Sequence, residues 1–198
     1  MVYKYSPADQ YKMKLTIKTG QAYDVKRPPL IAIWLENQGA YHIETLRAPD
    51  ASEANLLPYW QFKRQGWEKA KREADSGVAE EIEVDAVTMP TPNGSFDPND
   101  YILPADPENP MPYKLLIEIN QPGDTHDSYE DQPSLVYAVE IDNSWPKTFQ
   151  LLDLVGYPKR EEHNEEGKEE WALYFVDESF DSALDLIDSA LLTITREK

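Results

Sequence analysis

The chain has no cysteine, only three histidines, few basic residues and no long apolar run. Each absence excludes a class of chemistry. Without thiols there is no thiolate nucleophile, disulfide, zinc–thiolate site or iron–sulfur cluster. The histidines are His42, His126 and His163, and no HxH, HxxxH or HExxH pairing exists. A zinc or copper ion held by several imidazoles would therefore need long-range convergence. No apolar stretch is long enough for a membrane helix, so no membrane insertion is expected. No basic segment followed by an apolar stretch opens the chain, so no signal peptide is read there. Against 37 Asp and Glu stand only 19 Lys and Arg, a net charge of −18 over 198 residues. That charge repels phosphate backbones and anionic lipid, which makes nucleic acid and membrane surfaces poor partners. Internal repeats are missing too.

What is present is aromatic bulk and period-two patterning. Five Trp, twelve Tyr and five Phe supply large buried surfaces. Residues 12–19 (KMKLTIKT) alternate Met13, Leu15 and Ile17 with lysines and threonines, the mark of a strand with one wet face. Residues 30–36 (LIAIWLE) form a nearly continuous apolar run, read as a central strand. Asn37-Gln38-Gly39 supplies a turn, and residues 40–47 return as a second strand. Leu56, Trp60, Arg64 and Trp67 recur at helical spacing, with Pro58 tolerable near a first turn and Asp75-Ser76-Gly77 as a stop. One helix over about 57–74, crossing between sheets, is predicted. Further strands are expected at 81–87, 113–120, 135–141, 149–156, 171–176 and 190–195, with a short helical turn within 180–188. Residues 1–11 read as a polar lead-in, and 159–170 as an acidic loop. The predicted fold is mainly all-β: one antiparallel, immunoglobulin/fibronectin-III-like β-sandwich over 12–198 with one inserted helix.

Several strings carry a resemblance. They are Pro29 to Asn37 (PLIAIWLEN), the return strand Tyr41 to Leu46, Leu57-Pro58-Tyr59-Trp60, Asp85-Ala86-Val87-Thr88, and Pro133-Ser134-Leu135-Val136-Tyr137. In that order, over roughly 12–142, the chain resembles the bacterial family called domain of unknown function 2271. Members of that family are periplasmic proteins, some similar to flagellar hook-capping proteins. The resemblance implies an immunoglobulin-like sandwich in the periplasm or outside the cell. It implies no enzyme activity, and a setting near redox or iron-handling envelope systems. The family's D-A-V-T-G-A-T segment is also similar to the signature on which flavin mononucleotide is joined to threonine. By position Thr91 would be the acceptor, with Thr88 beside it. Here Met89 and Pro90 replace the small Gly-Ala pair and stiffen the approach. The plainer reading is a strand ending in a proline turn.

Other candidates rest on the residues alone. Asp97, Asn99 and Asp100 share one oxygen-rich loop and suit calcium chemically, but not at EF-hand spacing. Asp124, His126 and Asp127 share a second loop, which suits His126 to be a single metal ligand or a carboxylate-paired histidine. His42 is expected at an exposed strand position. Lys63, Arg64, Lys69, Lys71 and Arg72 form a basic stripe beside Trp60 and Trp67, suited to an acidic partner or an anionic group. The alternative is that the tryptophans plug the helix onto the sandwich while the cations stay wet. No G-x-S-x-G elbow is present, and paired acids carry little information among 37 carboxylates. The expected function is non-enzymatic recognition of a protein or small ligand by loops 89–100 and 121–133, with no cofactor required. The competing readings are a flavin-carrying electron-transfer protein and a carbohydrate-binding module.

Overall fold

A computed structural model describes residues 1–8, 11–36, 42–75, 113–125, 128–142, 145–162 and 169–196. Among these residues ten strands form two antiparallel sheets. The smaller has the order β1-β2-β10-β7: β1 Val2–Ala8, β2 Tyr11–Thr19, β10 Ile187–Arg196 and β7 Lys147–Leu151. The larger has the order β4-β3-β5-β6-β8-β9: β4 His42–Arg47, β3 Leu30–Glu36, β5 Tyr113–Asn120, β6 Leu135–Ile141, β8 Asp153–Glu162 and β9 Glu169–Tyr174. Helix α1, Pro58–Asp75, follows a 3-10 helix over Ala51–Leu56. The chain is thus an all-β antiparallel sandwich with one added helix, sharing the face-to-face architecture of immunoglobulin-type domains with its own strand order.

The core lies where alternate side chains of the two sheets meet. Met13, Leu15 and Ile17 of β2 and Ala190, Leu192 and Ile194 of β10 face Ile31, Ile33 and Leu35 of β3 and Leu115, Ile117 and Ile119 of β5. The opposite faces of β3 and β5 are buried too. Ala32, Trp34 and Leu116, with Val136 of β6, pack against Ala54, Leu57, Tyr59 and Trp60. Burial on both sides explains why 30–36 reads as an unbroken apolar run. The helix therefore does not cross between the sheets. It covers the outer face of the larger sheet, where Ala32, Trp34, Leu116 and Val136 form a second apolar surface in need of cover.

Three further expectations are corrected. Within the polar lead-in at 1–11, Val2–Ala8 is instead an edge strand, since Val2 to Tyr5 are mostly strand formers and Tyr3 packs against the core. The single strand expected at 149–156 is two strands in different sheets, with buried Leu152 at the crossing. Much of the acidic loop at 159–170 is paired strand, Glu161 opposite Glu170 and Glu162 opposite Glu169. Charge on both faces hid its alternation. The strand expected at 81–87 lies outside the described residues, as does 163–168.

Gly156 shapes the turn of β8 away from β6. Its φ is +144°, and a Cβ there would fall against the Tyr174 carbonyl oxygen. Gly123 has φ +77° with open space around it. Gly123→Ala is expected to cost about 1 kcal/mol through conformation alone, and Gly156→Ala about 3 kcal/mol or more, because steric displacement of β9 adds to the strain. Urea denaturation of both variants checks this; equal losses would remove the role given to the β8–β9 contact.

Candidate functional site

Among the described residues the seam between α1 and the larger sheet holds the most perturbed titratable groups, and its construction starts at the helix N-terminus. Residue 57 is leucine, which has no side-chain acceptor for the first helical N–H groups. Pro58 has no N–H to satisfy, as suits a first helical position. The next two donors are satisfied from another element. Glu118 of β5 accepts from the Trp60 N–H at 2.7 Å, the Tyr59 N–H at 3.3 Å and the Ser134 hydroxyl at 2.6 Å. Two residues on, Asn120 Nδ2 donates to the Leu56 carbonyl at 2.9 Å. One strand thus holds both sides of the 3-10 to α junction.

Glu36 and His42 extend the seam. Glu36 Oε1 accepts from Trp34 Nε1 at 2.9 Å and lies 3.9 Å from Lys63 Nζ. Thr45 Oγ1 accepts from Trp60 Nε1 at 2.9 Å and lies 2.7 Å from His42 Nε2. The Arg64 guanidinium stacks over the Trp60 ring at 5.0 Å. His42 is buried, not exposed as expected, because β4 presents it to the helix rather than to solvent. Its Nδ1 has no partner among the described residues.

Burial sets the titration of these groups. It pushes the Glu118 carboxyl up to about 7, against the Ser134 hydroxyl and the Trp60 and Tyr59 N–H groups, which favour the anion. Burial raises Glu36 as well, against the pull of Lys63 and the Trp34 N–H. His42 is lowered to about 4, first by burial and then by the Arg64 charge, so its ring is neutral at neutral pH. A carboxylate near 7 has the proton affinity of a general base. Glu118, however, is 0% exposed and ringed by donors of its own fold. It is placed to hold a helix rather than to meet a substrate.

The residues singled out from sequence are distributed as follows. Trp60 and Arg64 come together in this seam, with Trp60 as the plug. Asp124 belongs to a separate network that ties loop 121–133 to the 3-10 helix Ser182–Asp185: its Oδ1 accepts from Ser182 Oγ at 2.5 Å, and Gln132 Nε2 donates to the same hydroxyl at 3.0 Å. Thr88, Thr91, Asp97, Asn99, Asp100, His126 and Asp127 lie outside the described residues, as do the side chains of Trp67, Lys71 and Arg72. Among the described residues no three acidic or histidine side chains gather to hold a metal ion. Sequence reasoning passed over Glu36, Thr45 and Glu118. The available signal was a carboxylate inside each of two apolar strands, LIAIWLE and YKLLIEIN, where an unpartnered charge would be costly.

A small cavity of about 100 Å³ opens between the edge strands β1 and β4, with Lys4 and Arg47 its charged linings. It is well below the size that encloses a metabolite. No described helix is long and apolar enough to cross a membrane. With this geometry in place, comparison with protein-family models, curated proteins and solved structures finds no match.

The two perturbed groups have opposite pH linkage. Glu118 sits above its ordinary value of 4.5, so the stability it adds is present below about pH 4.5 and is lost as pH rises to about 7. His42 sits below its ordinary 6.5, so its contribution is present above that pH and is lost as pH falls to about 4. Between 4.5 and 6.5 they offset each other. Glu118→Gln is expected to gain stability relative to wild type by on the order of 3 kcal/mol as pH rises from 4 to 8. Urea unfolding across that range reads this, and a pH-independent difference would refute the assignment.

Proposed function

We propose that the protein is a non-enzymatic binding or accessory protein of the periplasm or cell exterior, serving a redox or iron-handling envelope system. The observation that carries the non-catalytic part is the state of Glu118. The carboxylate best tuned for proton transfer has its donors supplied by the α1 N-terminus and Ser134, inside a closed apolar seam. The compartment and the system rest on the resemblance of 12–142 to domain of unknown function 2271, and the acidic, cysteine-free composition is compatible with export.

Recognition then runs through the exterior. Loop 121–133 is held at its base by Asp124, Gln132 and Ser182, while Thr125, Ser128, Glu130 and Asp131 are exposed. A held loop loses little freedom on binding, which favours affinity. The carbohydrate-binding alternative draws on exposed rings, Trp145 at 69% and Phe149 at 62%. Trp34 and Trp60 are unavailable to it, since both are buried. The flavin-carrier alternative rests on Thr88 and Thr91.

Fractionation of cells expressing the native gene, followed by intact mass, tests the compartment and the cofactor together. The expected outcome is an exported protein whose mass is polypeptide alone. Retention in the cytoplasm would refute the compartment, and one added flavin mononucleotide would establish the carrier reading. Turnover of any substrate by the purified protein, abolished by one side-chain change, would end the non-enzymatic reading.

A further inference from the structure

The outer face of the smaller sheet departs from the charge of the whole. Register places Lys4, Lys14, Thr193 and Phe149 in one row across the four strands. Val2, Thr16, Leu191 and Leu151 form the next row. Lys12, Thr195 and Lys147 form a third, and Lys18 and Ser189 a fourth. No acidic residue occupies these rows. Asp188, at the β10 irregularity beside these rows, lies 2.9 Å from Lys18. Five of the chain's 19 cations therefore share one face, and the remaining 14 stand against all 37 acids, a charge of −23 elsewhere. Next to the lysines are exposed apolar side chains: Val2 at 53%, and Phe149 and Leu151 at 62% each. Lys147 Nζ lies over the Phe149 ring at 5.0 Å. Solvation alone does not call for large apolar side chains on this face, and a sheet face bearing both features is suited to contact.

The geometry points to the outer face of the smaller sheet as a docking surface for an acidic polypeptide segment that carries an apolar residue, its carboxylates over Lys4, Lys12 and Lys14 and its apolar side chain over Phe149 and Leu151. This rests on the binding-protein reading and names the partner's chemistry. Three observations favour a polypeptide over other anions. All five cations are lysines, so the rows lack the guanidinium fork that recognises phosphate in two-point fashion. Lys12 and Lys14 point the same way from alternate strand positions, about 7 Å apart, the spacing of alternate side chains in an extended peptide. The lysine face is only about 15 Å wide across four strands, so a short segment ends within it. A long polyanion or a lipid surface would extend beyond it and meet the −23 remainder, unscreened within about 10 Å at moderate salt.

The probe is a short synthetic peptide of glutamates with one central phenylalanine, titrated calorimetrically against the full chain at low salt. Wild type is expected to bind it, more weakly as salt rises. The pair Lys4→Glu and Lys14→Glu is expected to weaken binding about tenfold or more, since each replaces an attraction by a repulsion. The neutral pair Lys4→Gln and Lys14→Gln is expected to give a smaller loss and guards against misfolding of the reversed pair. Phe149→Ser is expected to weaken binding severalfold, and Lys159→Glu, on the other sheet, to leave it unchanged. Absence of peptide binding, affinity indifferent to the lysine pairs, or tighter binding to a single-stranded oligonucleotide or to phosphatidylserine vesicles would overturn the proposal. None of these outcomes touches the non-enzymatic reading, which fails only by turnover.

Discussion

A buried carboxylate at a helix start is the constraint on which the second layer of this molecule depends. Taking an ionised carboxyl out of water costs several kcal/mol unless donors replace the lost solvent. Glu118 finds them in two helical N–H groups and a hydroxyl. The helix macrodipole favours the anion there as well. The exchange is mutual: Leu57 has no side-chain acceptor to give, so without Glu118 the first turn of α1 would bury unpaired donors. With the junction held, Leu57 and Trp60 sit over Trp34, and the ring nitrogens of both tryptophans reach acceptors, Glu36 and Thr45. Removing the carboxylate would therefore loosen the seat of the helix, and with it the cover over the outer face of β3 and β5.

That dependence follows from how the larger sheet is used. A sandwich normally leaves one face of each sheet to water. Here the smaller sheet does so, and β2 shows it as strict alternation of Met13, Leu15 and Ile17 with lysines and a threonine. The larger sheet is greasy on both sides at β3 and β5. A second apolar layer needs a lid, and an 18-residue helix supplies one. Trp171 and Leu173 of β9, packing partly buried against the same cluster, close its flank.

These features were unequally legible in the sequence. The central strands and the helix could be read because burial dominates their patterns: 30–36 and 113–120 are mostly apolar, each carrying a carboxylate, and Pro58 and Asp75-Ser76-Gly77 bracket helical spacing. Where the helix lies could not be read, since an apolar stripe says that something covers it but not what. The seam was only half visible. Glu36 and Glu118 stand out as carboxylates in apolar runs, yet nothing local links Glu118 to Leu57, 61 positions away, because that pairing is made by the fold. His42 misled for a similar reason: a histidine in a hairpin strand reads as wet until the helix arrives over it. The paired arms of β8 and β9 were hidden by glutamates on both faces, which mask alternation without preventing backbone pairing.

Charge distribution follows the same division into layers. The helix side carries cations that are partly committed inward, Arg64 to the Trp60 ring and Lys63 toward Glu36 and the Tyr59 ring. Such cations stabilise the seam and are poorly placed for a partner. The outer lysines of β2 differ in kind, because the pleat directs them away from the core and neither apolar cluster of the described residues lies above them. A net charge of −18 suggests a uniformly acidic surface, but net charge is a sum and recognition is local, decided within about a Debye length. On that scale the outer face of the smaller sheet is a basic face set in an acidic body. The alternation that buries Met13, Leu15 and Ile17 is the same alternation that gathers Lys12, Lys14 and Lys18 on the other side, so the pattern that builds the core also builds that face.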